Sequence, residues 1–158
     1  MSNIVLIHGA YQGGWIWKPL AKVLRDKGNY VLAPTLEGCG ERGYQLHKKI
    51  STESHALEIA NLLFFEDLED VVLVGTSTGG MVMAKAAEIA PSKIKKLVFA
   101  DALALMDGER LSDIVSRKSV VNTDLASGPP RNDVVNRLFK GLKEPVKSWA
   151  IARYTLHP

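Results

Sequence analysis

Gly75-Thr76-Ser77-Thr78-Gly79 follows directly on the apolar run Val71-Val72-Leu73-Val74 and leads into the near-continuous apolar stretch from Met81 to Ala90. That order reads as strand, sharp turn and helix, the setting in which a Gly-x-Ser-x-Gly pattern forms a nucleophile elbow. In such a turn a serine is held clear of the backbone at the carboxyl end of a strand. Side chains in place of the flanking glycines would collide with the folded-back chain. The plainer alternative is a glycine-rich turn whose serine caps the helix that follows.

The segments around the elbow repeat its alternation. Ile4 to Ile7 is wholly apolar, as befits a strand covered on both faces. From Trp15 to Lys27, Ile16, Leu20, Val23 and Leu24 alternate with Lys18, Lys22, Arg25 and Asp26 at helical spacing, and Gly28-Asn29 ends the run. Tyr30 to Ala33 predicts a second strand, and Ser51 or Thr52 can cap a helix with Ala56, Ile59, Ala60 and Leu63 on one face. Val71 to Val74 is the third strand. Met81 to Ala90 predicts a largely buried helix ended by Pro91, and Ile94 to Ala100 a fourth strand. Strand, helix, strand repeated in this way predicts an α/β fold: a parallel sheet with helices on both faces, because each connection must cross over to start the next parallel strand.

Beyond Asp101 the pattern changes. Leu111, Ile114 and Val115, then Val134, Val135, Leu138 and Phe139, then Val146, Trp149 and Ala150 predict three short amphipathic helices with no returning strand. Residues 1–105 are therefore read as the sheet-bearing core and 106–158 as part of a helical cap.

Composition narrows the function. A chain of 158 residues with 46% apolar content suits one domain and one core. Its net charge of +3 is spread along the sequence in short pairs such as Lys48-Lys49, which gives nucleic acid little to bind. No apolar run has the length of a membrane span. The amino terminus, Met1-Ser2-Asn3, enters a strand without the features of a signal peptide, and the single cysteine, Cys39, excludes an internal disulfide. A cytoplasmic protein is the expectation. Cys39 lies in a glycine-rich loop with no histidine near it in sequence and reads as an inert thiol.

A second motif completes the chemical picture. His8-Gly9-Ala10-Tyr11-Gln12-Gly13-Gly14-Trp15 follows the first strand. Acyl transfer needs two backbone N–H groups aimed at the oxygen that becomes negative. These come from the residue after the nucleophile and from the loop after the first of these strands, here Thr78 and Ala10. His8 lies at the strand end beneath that loop and reads as its organiser. A dinucleotide site is disfavoured: Gly9-x-x-x-Gly13-Gly14 lacks the third glycine, and the second strand ends in Ala33-Pro34-Thr35 without a ribose-binding carboxylate. A P-loop lysine is missing after every glycine loop.

Residues 5–17, 72–81 and 93–102 together resemble the α/β-hydrolase superfamily. They are most similar to the branch holding plant methylesterases, hydroxynitrile lyases and bacterial carboxylesterases of the pyrethroid-hydrolase kind. The likeness covers residues 3–105 strongly, so the core is incomplete relative to the family. It implies Ser77 as nucleophile, the amides of Ala10 and Thr78 as oxyanion hole, no metal or organic cofactor, and a small ester as substrate. Thr76 stands where many relatives have histidine.

In most of the family the acid and the histidine follow later strands. Asp101 ends the fourth strand at a position some branches use for the acid, but reads here as a cap for the next segment. None of His47, His55 and His157 follows a predicted strand. The expectation is a serine carboxylesterase whose catalytic histidine comes from outside these residues, so that the chain by itself is inactive. The alternatives are a hydroxynitrile-lyase-like enzyme and a non-catalytic hydrolase fold that binds a small molecule. The fourth strand is further expected to expose an unpaired edge, covered by a second copy or by a complementing C-terminal segment.

Overall fold

The computed structural model describes residues 1–116 and 120–158. Four strands, β1 (Asn3–Ile7), β2 (Tyr30–Leu32), β3 (Val71–Ser77) and β4 (Ile94–Ala102), pair in parallel in the order β2-β1-β3-β4. The connections are α1 (Lys18–Asp26), α2 (Thr52–Phe65) and α3 (Gly79–Ile89). Because side chains alternate across a strand, β1, β2 and β3 each feed two cores. Val5, Ile7, Val71 and Leu73 pack against Ala56, Ile59 and Leu63 of α2 and Val82, Met83 and Ala86 of α3. Leu6, Val31 and Val74 turn the other way, towards Ala21 and Leu24 of α1. Helices on both faces of a parallel sheet are what the alternation predicts.

Local signals set the element ends. Ser51 caps α2: its Oγ accepts from the Ser54 amide at 3.1 Å while Ser54 Oγ accepts from the Ser51 amide at 2.9 Å, a reciprocal box. The first turn of the predicted 15–27 helix is 3₁₀ (Gly14–Trp17), and the α-helix starts at Lys18, with proline next. α3 is less enclosed than its composition predicts. Val82, Met83 and Ala86 are buried, whereas Met81, Ala84 and Ala87 are half-buried and Ile89 is exposed.

Beyond β4 the structure holds α4 (Leu111–Ile114), a two-strand ladder of β5 (Val121–Asn122) and β6 (Ser127–Gly128), α5 (Arg131–Asp133) running into a π-helical turn (Val134–Leu138), and α6 (Val146–Ile151). The expectation that no strand returns here is corrected by β5 and β6. Two paired residues per strand are too short to leave a period in sequence. Trp15 from the core packs with Val134, Phe139 and Ala150, with the Trp149 ring edge-on at 5.1 Å. This small apolar cluster holds the residues that follow β4 down on the loop after β1.

Candidate active site

Ser77 is the last residue of β3, and its φ is +49°. The left-handed region costs an L-residue with a side chain roughly 1–2 kcal/mol, and such strain persists where the surroundings over-determine it. Here the surroundings are backbone. A Cβ on Gly79 would meet the carbonyl oxygens of Ile7 and His8 at 2.6 and 2.7 Å, so the first turn of α3 is wedged against the end of β1. The chain therefore has to fold back sharply between Ser77 and Gly79, and Ser77 is left exposed at the crest of that bend.

Thr78 is the N-cap of α3, so its neighbourhood carries the unpaired amides and the positive dipole end of an eleven-residue helix. Ala10 is buried in the turn after β1, followed by Tyr11 at φ +70°. Between them Gly9 passes directly over the elbow: a Cβ built there would lie 2.7 Å from Ser77 Cβ and 3.4 Å from Ser77 Oγ. The loop bearing Ala10 and the bend bearing Ser77 and Thr78 thus share one cleft.

His8 holds that loop from beneath. Its Nδ1–H donates to the Gly9 carbonyl at 2.8 Å and its Nε2 accepts from the Leu36 amide at 3.0 Å, a pattern that requires the neutral ring. Burial pulls its pKa down from 6.5 to about 4, with a further push from neighbouring His55. The loop after β2 is tied down in turn: Arg42 donates to the Thr35 carbonyl and to Glu58, and Glu58 accepts from the Glu37 amide at 3.0 Å.

Asp101 also has a left-handed backbone, φ +50°, and is exposed. Register places its neighbour Ala102 beside Ser77, and the Leu103 amide donates to the Ser77 carbonyl at 2.9 Å. β4 therefore runs two residues past its predicted end, because this contact extends the ladder to the elbow. His157, remote in sequence, is drawn in by paired backbone bonds with Ser127 at 2.8 and 3.0 Å. Its Nδ1 lies 3.6 Å from Cys39 Sγ and its ring 6.2 Å from that of Tyr11. A cavity of about 290 Å³ is lined by Thr78, Met81, Leu36, Ile50, Leu111 and His157. A second, of about 280 Å³, is lined by Thr76, Gln12, Ile16, Trp17 and Phe139. Ser77 stands between the threonines that line them. The placement of His157 could not be read from sequence, since it depends on the β6 residue Ser127, more than two dozen positions away.

Residues 4–157 match the model of the alpha/beta hydrolase family. The chain belongs to that family. This α/β-hydrolase is 38% identical over 117 residues to a carbendazim hydrolyzing esterase of Nocardioides sp. (strain SG-4G), covering 74% of the chain and 48% of that protein. It is 41% identical over 102 residues to an alpha-hydroxynitrile lyase of Arabidopsis thaliana, covering 63% and 39%. In fold it matches an extracellular alpha/beta-hydrolase from a Paenibacillus species with a TM-score of 0.81 at 22% identity, over 100% of this chain and 67% of that one. It therefore spans less than half of either sequence relative and about two-thirds of the structural neighbour. Esterases recur among the relatives, and the parallel four-stranded sheet with flanking helices matches part of the family's fold. Among the described residues no helix is long and apolar enough to cross a membrane, and no cluster of His, Cys, Asp and Glu could hold a metal ion.

Proposed function

We propose that this chain carries the nucleophile half of a serine carboxylesterase site. Ser77 Oγ attacks the carbonyl carbon of a small ester while a histidine takes its proton, and the amides of Ala10 and Thr78 donate to the tetrahedral oxyanion. The C–O bond then breaks, the alcohol leaves with the proton, and water releases the acid from the acyl-serine. The observation that carries the reading is the left-handed, exposed Ser77 with the Gly9 loop closed over it. The cavities beside Thr76 and Thr78 suit the two arms of an ester.

The histidine, in this reading, comes from residues beyond these, in keeping with the chain's partial coverage of its relatives. By itself the chain turns over esters at close to the uncatalysed rate, because a serine without its base is a weak nucleophile. Added imidazole can stand in for that base. A fluorophosphonate probe is expected to label the chain at Ser77 faster with imidazole than without, by intact mass and peptide mapping, and to leave Ser77→Ala unlabelled. Equal labelling of both proteins, or none of either at saturating imidazole, would overturn the proposal. The hydroxynitrile-lyase relative makes cyanohydrin cleavage the second reading. Cyanide release from mandelonitrile with no imidazole-dependent ester cleavage would favour it.

A further inference from the structure

A cavity of about 660 Å³ opens between α1, the loop after β2 and residues 152–155. It sits at the β2 edge of the sheet, the far side from β4, and shares no lining residue with the two cavities beside Ser77. Its lining is cationic. Lys18, Arg25 and Arg153 face one carboxylate, Glu41, which leaves two positive charges in excess. None of these three cations forms an ion pair among the described residues. The chain itself turns away after Thr155: Leu156 packs beside Gly128, His157 pairs with Ser127, and Pro158 lines the cavity next to Thr78.

Neutral groups hold the two guanidiniums. Arg25 Nε and Nη2 donate to the Val31 carbonyl at 3.2 and 2.6 Å. Arg153 Nη1 donates to the Trp149 carbonyl at 2.9 Å while its guanidinium lies 5.0 Å over the Trp149 ring. Both forks are therefore oriented before any ligand arrives, and each keeps its full charge and N–H donors to spare. Glu41 is engaged elsewhere: it accepts from Thr35 Oγ1 at 2.6 Å, and that hydroxyl accepts from the Gly14 amide at 2.8 Å. Fixed like charges around one cavity attract a concentrated anion. Three cationic donors match the three terminal oxygens and the charge of about −2 on a phosphate monoester, and guanidinium forks suit those oxygens. The buried Trp15 offers an organic group an apolar wall.

We propose that this cavity binds a small organic phosphate monoester, with Lys18, Arg25 and Arg153 on the phosphoryl oxygens and the organic group against Trp15. The site stands whether or not Ser77 cleaves esters. Titration calorimetry of the 158-residue chain with phenyl phosphate is expected to find one site per chain, weakened by salt. Inorganic phosphate, which has nothing to lay on Trp15, and succinate, whose two charges sit apart, should bind more weakly. The Trp15 indole N–H resonance should move as phenyl phosphate is added. Arg25→Gln and Arg153→Gln should each lower the affinity by about tenfold or more. Lys22→Gln should leave it unchanged, because that ammonium is paired with Asp26 on the exposed side of α1. Arg25 also ties down β2, so Arg153→Gln is the deciding variant, with unchanged far-ultraviolet dichroism showing that the fold survives. No saturable binding of phenyl phosphate, inorganic phosphate or succinate bound as tightly, or a folded Arg153→Gln chain that binds as the parent does would each overturn the proposal. So would an equal loss in Lys22→Gln, which marks diffuse attraction to a basic surface.

Discussion

Gly9 stands so close to Ser77 that a methyl group in place of its hydrogen would lie 2.7 Å from Ser77 Cβ. The contact is between main-chain-anchored atoms on two loops, each following its own strand, so neither side can yield by rotating a side chain. Gly9→Ala is therefore expected to destabilise the fold by about 1–3 kcal/mol through forced backbone displacement. It should also abolish imidazole-dependent labelling of Ser77. Urea unfolding checks the first outcome; a midpoint unchanged from the parent would show that the cleft is looser than described.

The φ of +49° at Ser77 makes the opposite prediction for the serine itself. Ser77→Gly removes the left-handed penalty and adds glycine's entropy cost, for a net gain of about 0.5–1 kcal/mol. Ser77→Ala keeps the side-chain penalty and gains nothing. Denaturant midpoints for the two variants separate backbone strain from loss of the hydroxyl, and a glycine variant no more stable than the alanine one would refute the strain.

His8 links stability to pH. Its folded pKa of about 4 lies below the 6.5 of the free side chain, because burial disfavours the charged ring. Between those values the unfolded chain binds more protons than the folded one, so stability falls as pH drops. The full contribution is present above about pH 6.5 and is lost by about pH 4, a change on the order of 3 kcal/mol. Urea midpoints measured across that window should decline in the parent and flatten in His8→Asn. Parallel profiles for the two would show that another group titrates.

Cys39 is buried, and burial, with the Glu58 charge adding to it, pushes its thiol up to about 12. At pH 8 the thiolate population, and with it the rate of iodoacetamide alkylation, should be on the order of a thousandfold below that of the unfolded chain. Mass spectrometry over a time course tests this. Alkylation of the native chain at the free-thiol rate would contradict it.

Much of the architecture was readable from the chain because its signals are local. The apolar runs at Ile4–Ile7 and Val71–Val74, the cap at Ser51, and the glycines on either side of Ser77 specify strands, a helix start and a bend within a few residues of themselves. The same locality placed Ser77 at the end of one strand and Thr78 and Ala10 just beyond the ends of two strands that the sheet makes neighbours. What lay out of reach was set by partners distant in the chain. β4 reaches Ala102 because it pairs alongside the elbow, His157 comes to Cys39 because its backbone bonds Ser127, and β5 and β6 are too short to show a period. The left-handed backbone of Ser77 belongs to both levels. Its glycines announce a tight turn in sequence, but the strain itself exists because α3, wedged by Gly79 against the carbonyls of β1, leaves the chain no other way to turn.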